Sequence, residues 1–375
     1  MDNDKMLIDS LRRSLWISAV TNVVLVLAMF AATLLSVFDA WPTWDVDTWF
    51  RMKKRPSPFA VPEGLQPDSL TLAISRELSP WTPPSLDAIP DDESGARIRY
   101  GRELIANTAV YLGPKGKIAP ITNGLNCQNC HLEAGAKQWG NNYGAVAATY
   151  PKYRARSGTE EDVYKRVNDC LERSLNGQAL PLESPELQAM AAYINWVGHE
   201  VPRKESPVGS GIFRLPYLDR AADPARGKVV YEAKCASCHG ADGQGALLAE
   251  GNAYAYPPLW GPRSYNHGAG LFRLSMFAGY VKYNMPLGVR WPDSQLSDAE
   301  CWDVAAFVNS QPRPGKDLSA DWPDIARKPV DHPFGPYADT FSEKQHKYGP
   351  FGPIEAARKA LAGAQKAQQT ISTSK

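Results

Sequence analysis

Two pentapeptides, CQNCH at Cys127–His131 and CASCH at Cys235–His239, each hold two thiols and an imidazole in one short run. C-x-x-C-H is the attachment sequence of c-type haem. The thiols form thioethers to the porphyrin vinyls, and the adjacent histidine supplies the proximal iron ligand. A zinc or dithiol redox site would use the cysteine pair without needing a histidine fixed beside it, and twice over. The sequence therefore implies two covalently attached haem c groups, held by Cys127, Cys130, His131, Cys235, Cys238 and His239.

Each iron also needs a distal ligand or an open position. In the second copy the segment NMPLG offers Met285, a thioether of the kind that raises the potential. Met276 and Lys282 are alternatives, but Met276 falls in the apolar stretch FRLSMFAGYV and suits a core role. The first copy differs. Between His131 and Pro185 there is no methionine and no further histidine. The soft donor left is Cys170, with Lys152 and Lys165 as weaker candidates. Met190 belongs to a later helical pattern and His199 to its exposed end.

Cys170 and Cys301 are the two cysteines outside the haem motifs. In an oxidising compartment an even pair suggests a disulfide. Against that, Cys301 sits in an apolar helical pattern with Trp302 and Ala305, where a small buried hydrophobe is ordinary. Cys170 lies in DVYKRVNDCLERSLNG. On a helix, Val163, Val167, Leu171 and Leu175 form one apolar stripe, and Arg166, Cys170 and Ser174 form the next. Thr159 followed by Asp162 resembles a capping box, and Gly177 suits the position after the helix. An arginine one turn from a thiol favours the thiolate, the form that binds iron and acts as a nucleophile. PKYRARSG adds Lys152, Arg154 and Arg156 just upstream.

The elements around the motifs repeat. GRELIANTAVYLG and GKVVYEAK read as opening helices, each beginning at a glycine. PELQAMAAYINWVGHEVPR and LSDAECWDVAAFVNSQPRP read as closing helices, with Trp302, Ala305, Ala306 and Asn309 at helical spacing. Opening helix, C-x-x-C-H, long loop and closing helix make up a monohaem cytochrome c module. The expected fold is mainly α, with two tandem cytochrome c-like domains at residues 95–205 and 222–315, a linker at 206–221 and a C-terminal extension at 316–375. Within it, the tail from Ile354 is expected to be a short helix or disordered.

Upstream, residues 14–38 carry no charge, enough as a helix to cross a hydrocarbon core of about 30 Å. A cleaved signal peptide usually has a shorter apolar run and a small-x-small site, which is missing here. Trp41, Trp44, Trp49 and Phe50 suit an interfacial belt. The expectation is a retained single-pass anchor after a cytoplasmic segment 1–13, then a Pro-rich stalk at 39–94. Basic residues flank both ends of the span, so orientation rests on haem attachment, which occurs outside the cytoplasm. The haem domains are expected in the periplasm, on the inner membrane. With 41 basic and 40 acidic side chains, no global field exists to draw nucleic acid.

From NCQNCHLEAG through QWGNNYGAVAATYPKYRARSGTEEDVYKRVNDCLERSLNGQALP the chain closely resembles the dihaem thiosulfate dehydrogenase family, whose members join two thiosulfates into tetrathionate. The likeness spans roughly residues 75–315. It implies that Cys170 is the axial ligand of the active-site haem and forms a sulfur adduct with substrate. It also implies that Arg156 and Arg166 bind substrate, with Ser174 as the active-site serine. Some members place a lysine beside the second haem's methionine as an exchangeable ligand. Here that neighbour is Asn284, so a plain His239/Met285 haem is expected. The membrane span departs from soluble members, and the expected acceptor is a soluble cytochrome c or a membrane oxidase. The rival readings are a tethered electron relay without a substrate, and a haem subunit of a larger sulfur-oxidising complex.

Overall fold

The structure, a computed structural model, describes residues 80–373. The expected cytoplasmic segment, membrane span and most of the stalk lie outside the described residues. Among the described residues no helix is long and apolar enough to cross a membrane. Helices dominate, and the strands are short antiparallel pairs.

The first module is built on α1 (Glu93–Ala106), α2 (Val163–Arg173) and α3 (Pro185–Val197). The second is built on α4 (Pro224–Lys234), α5 (Leu274–Lys282) and α6 (Asp298–Ser310). A small hairpin, β1 (Lys152–Arg154) with β2 (Thr159–Glu161), precedes α2. The helix starts follow from their caps. Asp92 accepts from Gly95 N at 2.9 Å, and Ser184 and Asp223 cap α3 and α4 ahead of a proline at the first helical position. Ser297 and Glu300 form a reciprocal capping box at α6.

Each opening helix crosses its closing helix: α1 packs on α3, and α4 on α6. The expected helix-opening glycines instead lie inside α1 and α4, and the crossing explains their place. A Cβ at Gly101 would strike the Ala189 carbonyl, and one at Gly227 would strike the Asp303 carbonyl. Glycine in a helix interior costs about 0.5–1 kcal/mol relative to alanine, offset here by close backbone packing. Around these crossings sit two cores, one with Leu104, Leu187 and Tyr193, the other with Tyr231, Trp302 and Val308.

Two local expectations are corrected. Thr159 lies in β2, and Asp162 alone caps α2, accepting from Lys165 N at 2.8 Å. After α2 it is Asn176, at φ +44°, that takes the left-handed position, and Gly177 N donates to Leu171 O at 2.9 Å. The linker is held rather than free: Trp139 N and Asn141 N donate to Gly209 O and Gly211 O, each at 2.8 Å. Beyond α6 the chain runs back over both modules and ends in α7 (Gly352–Thr373), so the tail is helical through Thr373. Phe351 and Ile354 are buried against the second core.

Candidate active site and haem centres

His131 lines a cavity of about 500 Å3 together with Cys127, Cys130, Arg166, Cys170 and Ser174. The α2 stripe reading accounts for this grouping. Val163, Val167, Leu171 and Leu175 are at most 8% exposed and face the core, which turns Arg166, Cys170 and Ser174 onto the cavity edge. Cys301, by contrast, is fully buried in the second core, and both cysteines are free thiols, so no disulfide joins them.

The proximal side is set by a hydrogen bond. His131 Nδ1 meets the Asn141 carbonyl, which can only accept, so Nδ1 carries the proton and Nε2 keeps its lone pair. Its ring stacks on Tyr143, with centroids 4.7 Å apart. Burial, helped by the Arg166 charge and opposed by the Asn141 carbonyl, pushes the imidazole pKa down to about 4. A neutral ring with an unprotonated Nε2, which here meets the Asn141 amide at 3.4 Å, is the form that binds iron. The cavity, the paired thiols and this tautomer fit a covalently attached haem.

The cavity is cationic. Lys152, Arg154, Arg166 and Arg214 all line the cavity. The charge of Cys170, one turn away, holds the Arg166 guanidinium protonated well above its ordinary range, against burial. Burial and then the neighbouring Arg154 and Arg166 lower the Lys152 ammonium. Arg214 comes from the linker and was missed in the sequence, where nothing in its neighbourhood suggested folding back onto the first module. Lys165 is occupied elsewhere, 3.1 Å from Asp169 Oδ1.

Arg156, implied by the resemblance to bind substrate, stands behind the cavity wall. Its Nη1 donates to Gly268 O at 2.9 Å, and its guanidinium lies over the Trp322 ring. Burial, then repulsion from Arg173 and Arg166, pushes its pKa down to about 10, leaving it charged at neutral pH. From there it holds the loop that supplies Ala269 and Gly270 to the cavity. The hairpin geometry explains the exchange: Lys152 and Arg154 are two apart on one strand and share a face, while Arg156 lies in the turn beyond it.

The second cavity, about 520 Å3, is lined by Cys235, Cys238, His239 and Met285 with Tyr231, Phe277, Tyr280 and Val308. His239 Nδ1 donates to Pro257 O at 2.8 Å, and burial lowers its pKa, again leaving a neutral ring with Nε2 free. Met285 follows α5 directly. Lys282 is engaged elsewhere, donating to Leu296 O at 2.9 Å and pairing with Asp298 at 2.7 Å. Met276, weighed above as a ligand for this site, lines the first cavity instead. Asn284 is fully buried, and its amide donates to Trp139 O at 3.0 Å and Tyr280 O at 2.8 Å, tying the methionine loop to the first module. Leu125, Asn126, Cys130, Tyr265 and Leu271 line both cavities, so the Cys130 edge of the first site faces the second.

Residues 118–202 match the family model described as SoxA/TsdA, cytochrome c domain, and residues 224–312 match that described as cytochrome c. The chain is 42% identical over 237 residues to the thiosulfate dehydrogenase of Allochromatium vinosum, covering 62% of this chain and 84% of that protein. It is 38% identical over 234 residues to the thiosulfate dehydrogenase of Thiomonas intermedia, covering 62% and 71%. Among solved structures it is similar to the thiosulfate dehydrogenase (TsdBA) of Marichromatium purpuratum in its "as isolated" form, with a TM-score of 0.57 at 33% identity. That match covers 63% of this chain and half of the other. With both haem motifs lining cavities built for them, the chain belongs to the dihaem thiosulfate dehydrogenase family and carries two covalently bound haem c groups.

Proposed function

We propose that this protein oxidises two thiosulfates to tetrathionate at the first haem site, with Cys170 as both distal iron ligand and sulfur acceptor. The observation that carries this reading is that Cys170 shares one cavity with His131, Arg166 and Ser174. Once attached at His131 and His239, the haems supply one-electron acceptance and a path out of the site.

Thiosulfate is a dianion, and two must meet, so the site has to offset their repulsion. Arg166, Lys152 and Arg154 supply fixed positive charge, and guanidinium forks suit a sulfonate end. The Cys170 sulfur forms a bond to the outer sulfur of the first thiosulfate, giving a Cys–S–S–sulfonate and releasing two electrons. The second thiosulfate attacks that outer sulfur, breaks the bond to Cys170, and leaves as tetrathionate while the thiolate is restored. Charge and atoms balance as two thiosulfates to one tetrathionate plus two electrons. Splitting the coupling into two sulfur transfers is covalent catalysis in two easier steps. Ser174, one turn beyond Cys170, offers a hydroxyl to a sulfonate oxygen.

Cys130 lines both cavities, so a haem held by Cys127, Cys130 and His131 would supply the way out for electrons toward the site of His239 and Met285. The acceptor is a soluble cytochrome c or a membrane oxidase, and the haem modules lie in the periplasm, held to the inner membrane by residues 14–38. Replacing Cys170 by alanine tests the reading. Thiosulfate-dependent acceptor reduction should fall by about a thousandfold or more, while the second haem titrates as in the parent protein. Undiminished turnover in that variant would overturn it and favour an electron relay.

A further inference from the structure

After α6 the chain leaves the second module, crosses to the first, and returns. The crossing is specific. Among the described residues, the segment's hydrogen bonds to the first module are made by Asp321 and Trp322. Both Asp321 oxygens bind Arg173 in the last turn of α2, at 2.7 and 2.8 Å, in a pair whose side chains are 12% and 9% exposed. Trp322 N donates to Arg156 O at 2.7 Å, and the Trp322 ring lies beneath the Arg156 guanidinium. Pro323 fills the space at Gly158, the hairpin turn, and Arg327 lies over the Tyr153 ring.

All of these contacts fall on the β1–β2 hairpin or on the end of the Cys170 helix. A two-stranded hairpin with strands of three residues is marginal on its own. Yet this one carries Lys152 and Arg154 on the first cavity's wall. Within the hairpin Ser157 donates to Glu161 at 2.7 Å, and from outside the turn is held by Gly268, through Arg156, and by this segment. The returning end of the segment is itself fixed. Asp331 binds Arg273 and accepts from Ser275 N at 3.1 Å, and His346 is clamped between the Val330 carbonyl and Asp339 at 2.7 and 2.8 Å. The segment is thus a strap anchored at both ends on the second module and pressed against the first module's hairpin and the end of α2.

We infer that residues 316–335 are a brace that holds the anion-binding hairpin and the end of the Cys170 helix in register, with Asp321 as its principal positioning residue. The inference rests on the reading of the first cavity as a thiosulfate site. The brace acts on substrate capture rather than on the sulfur chemistry, because Asp321 touches Arg173 and not the cavity. It also places one carboxylate beside Arg173 and near Arg156, offsetting the repulsion between those two guanidiniums.

The test is Asp321→Asn in the full-length protein with both haems attached, read in two ways. Amide hydrogen exchange over residues 152–161 should quicken by about tenfold while that of α3 stays as it was. The KM for thiosulfate should rise by about tenfold with kcat changed by less than about threefold, since a loosened but intact set of charges binds less well. Unchanged exchange in the hairpin, or faster exchange with an unmoved KM, overturns the brace. If the parent protein itself shows no thiosulfate turnover, the functional reading fails and the exchange result alone decides the brace. Should Asp321→Asn not retain both haems, Arg327→Gln removes the milder contact on Tyr153. It should quicken hairpin exchange by about twofold, and no change there would count against the brace.

Discussion

The two modules share the way they cross their helices and hold their histidine, and differ in what lines the rest of the cavity. In both, a glycine lets opening and closing helices touch backbone to backbone, and a carbonyl fixes the histidine tautomer. Beyond the haem position they part. The first cavity is lined by Lys152, Arg154, Arg166 and Arg214 around a thiol with no acidic side chain among them, whereas the second sets Tyr231, Phe277, Tyr280 and Val308 around a thioether and has Glu133 beside its cations Lys137, Lys234 and Arg290, pairing with Arg290 at 2.8 Å. One scaffold thus makes a place where anions can be gathered and a place where only electrons need pass. The difference arises in the loop between the haem motif and the closing helix. In the first module that loop folds as a charged hairpin and an amphipathic helix. In the second it folds as a hairpin whose paired strands, Ala246–Leu247 and Tyr254–Tyr256, are uncharged, and as the apolar α5.

The contrast can be broken at the charged side first. Arg166→Gln removes the guanidinium one helical turn from Cys170 and should lower kcat/KM for thiosulfate by about a hundredfold, leaving the second haem's spectrum intact. Steady-state kinetics with an artificial acceptor measure this. A change of less than threefold would mean that the distal charges serve only to hold the haem propionates.

A smaller effect is expected on the apolar side. Asp331 is 1% exposed and caps the first turn of α5, the helix that leads to Met285. Burial alone would raise its carboxyl; Arg273 and the Ser275 donors together outweigh burial and hold it below the ordinary 3.8. Its folded pKa is therefore the lower one, so its stabilisation is complete above about pH 4 and is lost as pH falls through the depressed value. Asp331→Asn should cost about 3 kcal/mol at neutral pH by leaving Arg273 without its partner. The penalty should shrink in acid, as thermal melts at several pH values would record. A pH-independent difference would show that the carboxylate charge is not what holds α5.

Much of this was legible in the residues. The haem motifs, the closing helices and the stripe of Arg166, Cys170 and Ser174 follow from local spacing, because a helix converts sequence intervals directly into faces. What the sequence did not disclose depends on contacts between distant segments. Arg214 reaches the first cavity only because the linker pairs with residues 139–141. Met276 looks like core of its own module but lines the neighbouring cavity, since Phe277, Tyr280 and Val281 form the face of α5 turned to the second cavity and Met276 lies on the next stripe round. Arg156 carries the same charge as Arg154, and only the turn beyond β1 sends it behind the wall. The strap has no motif at all; its role comes from where Asp321 lands.

The account stands or falls on sulfur at the first haem. A low-temperature electron paramagnetic resonance spectrum of the oxidised protein should contain the narrow low-spin signal of a thiolate-ligated haem beside a broader histidine–methionine signal. The narrow signal should disappear in Cys170→Ala. Two histidine–methionine or histidine–nitrogen signals in the parent protein, unaltered by that substitution, would contradict it.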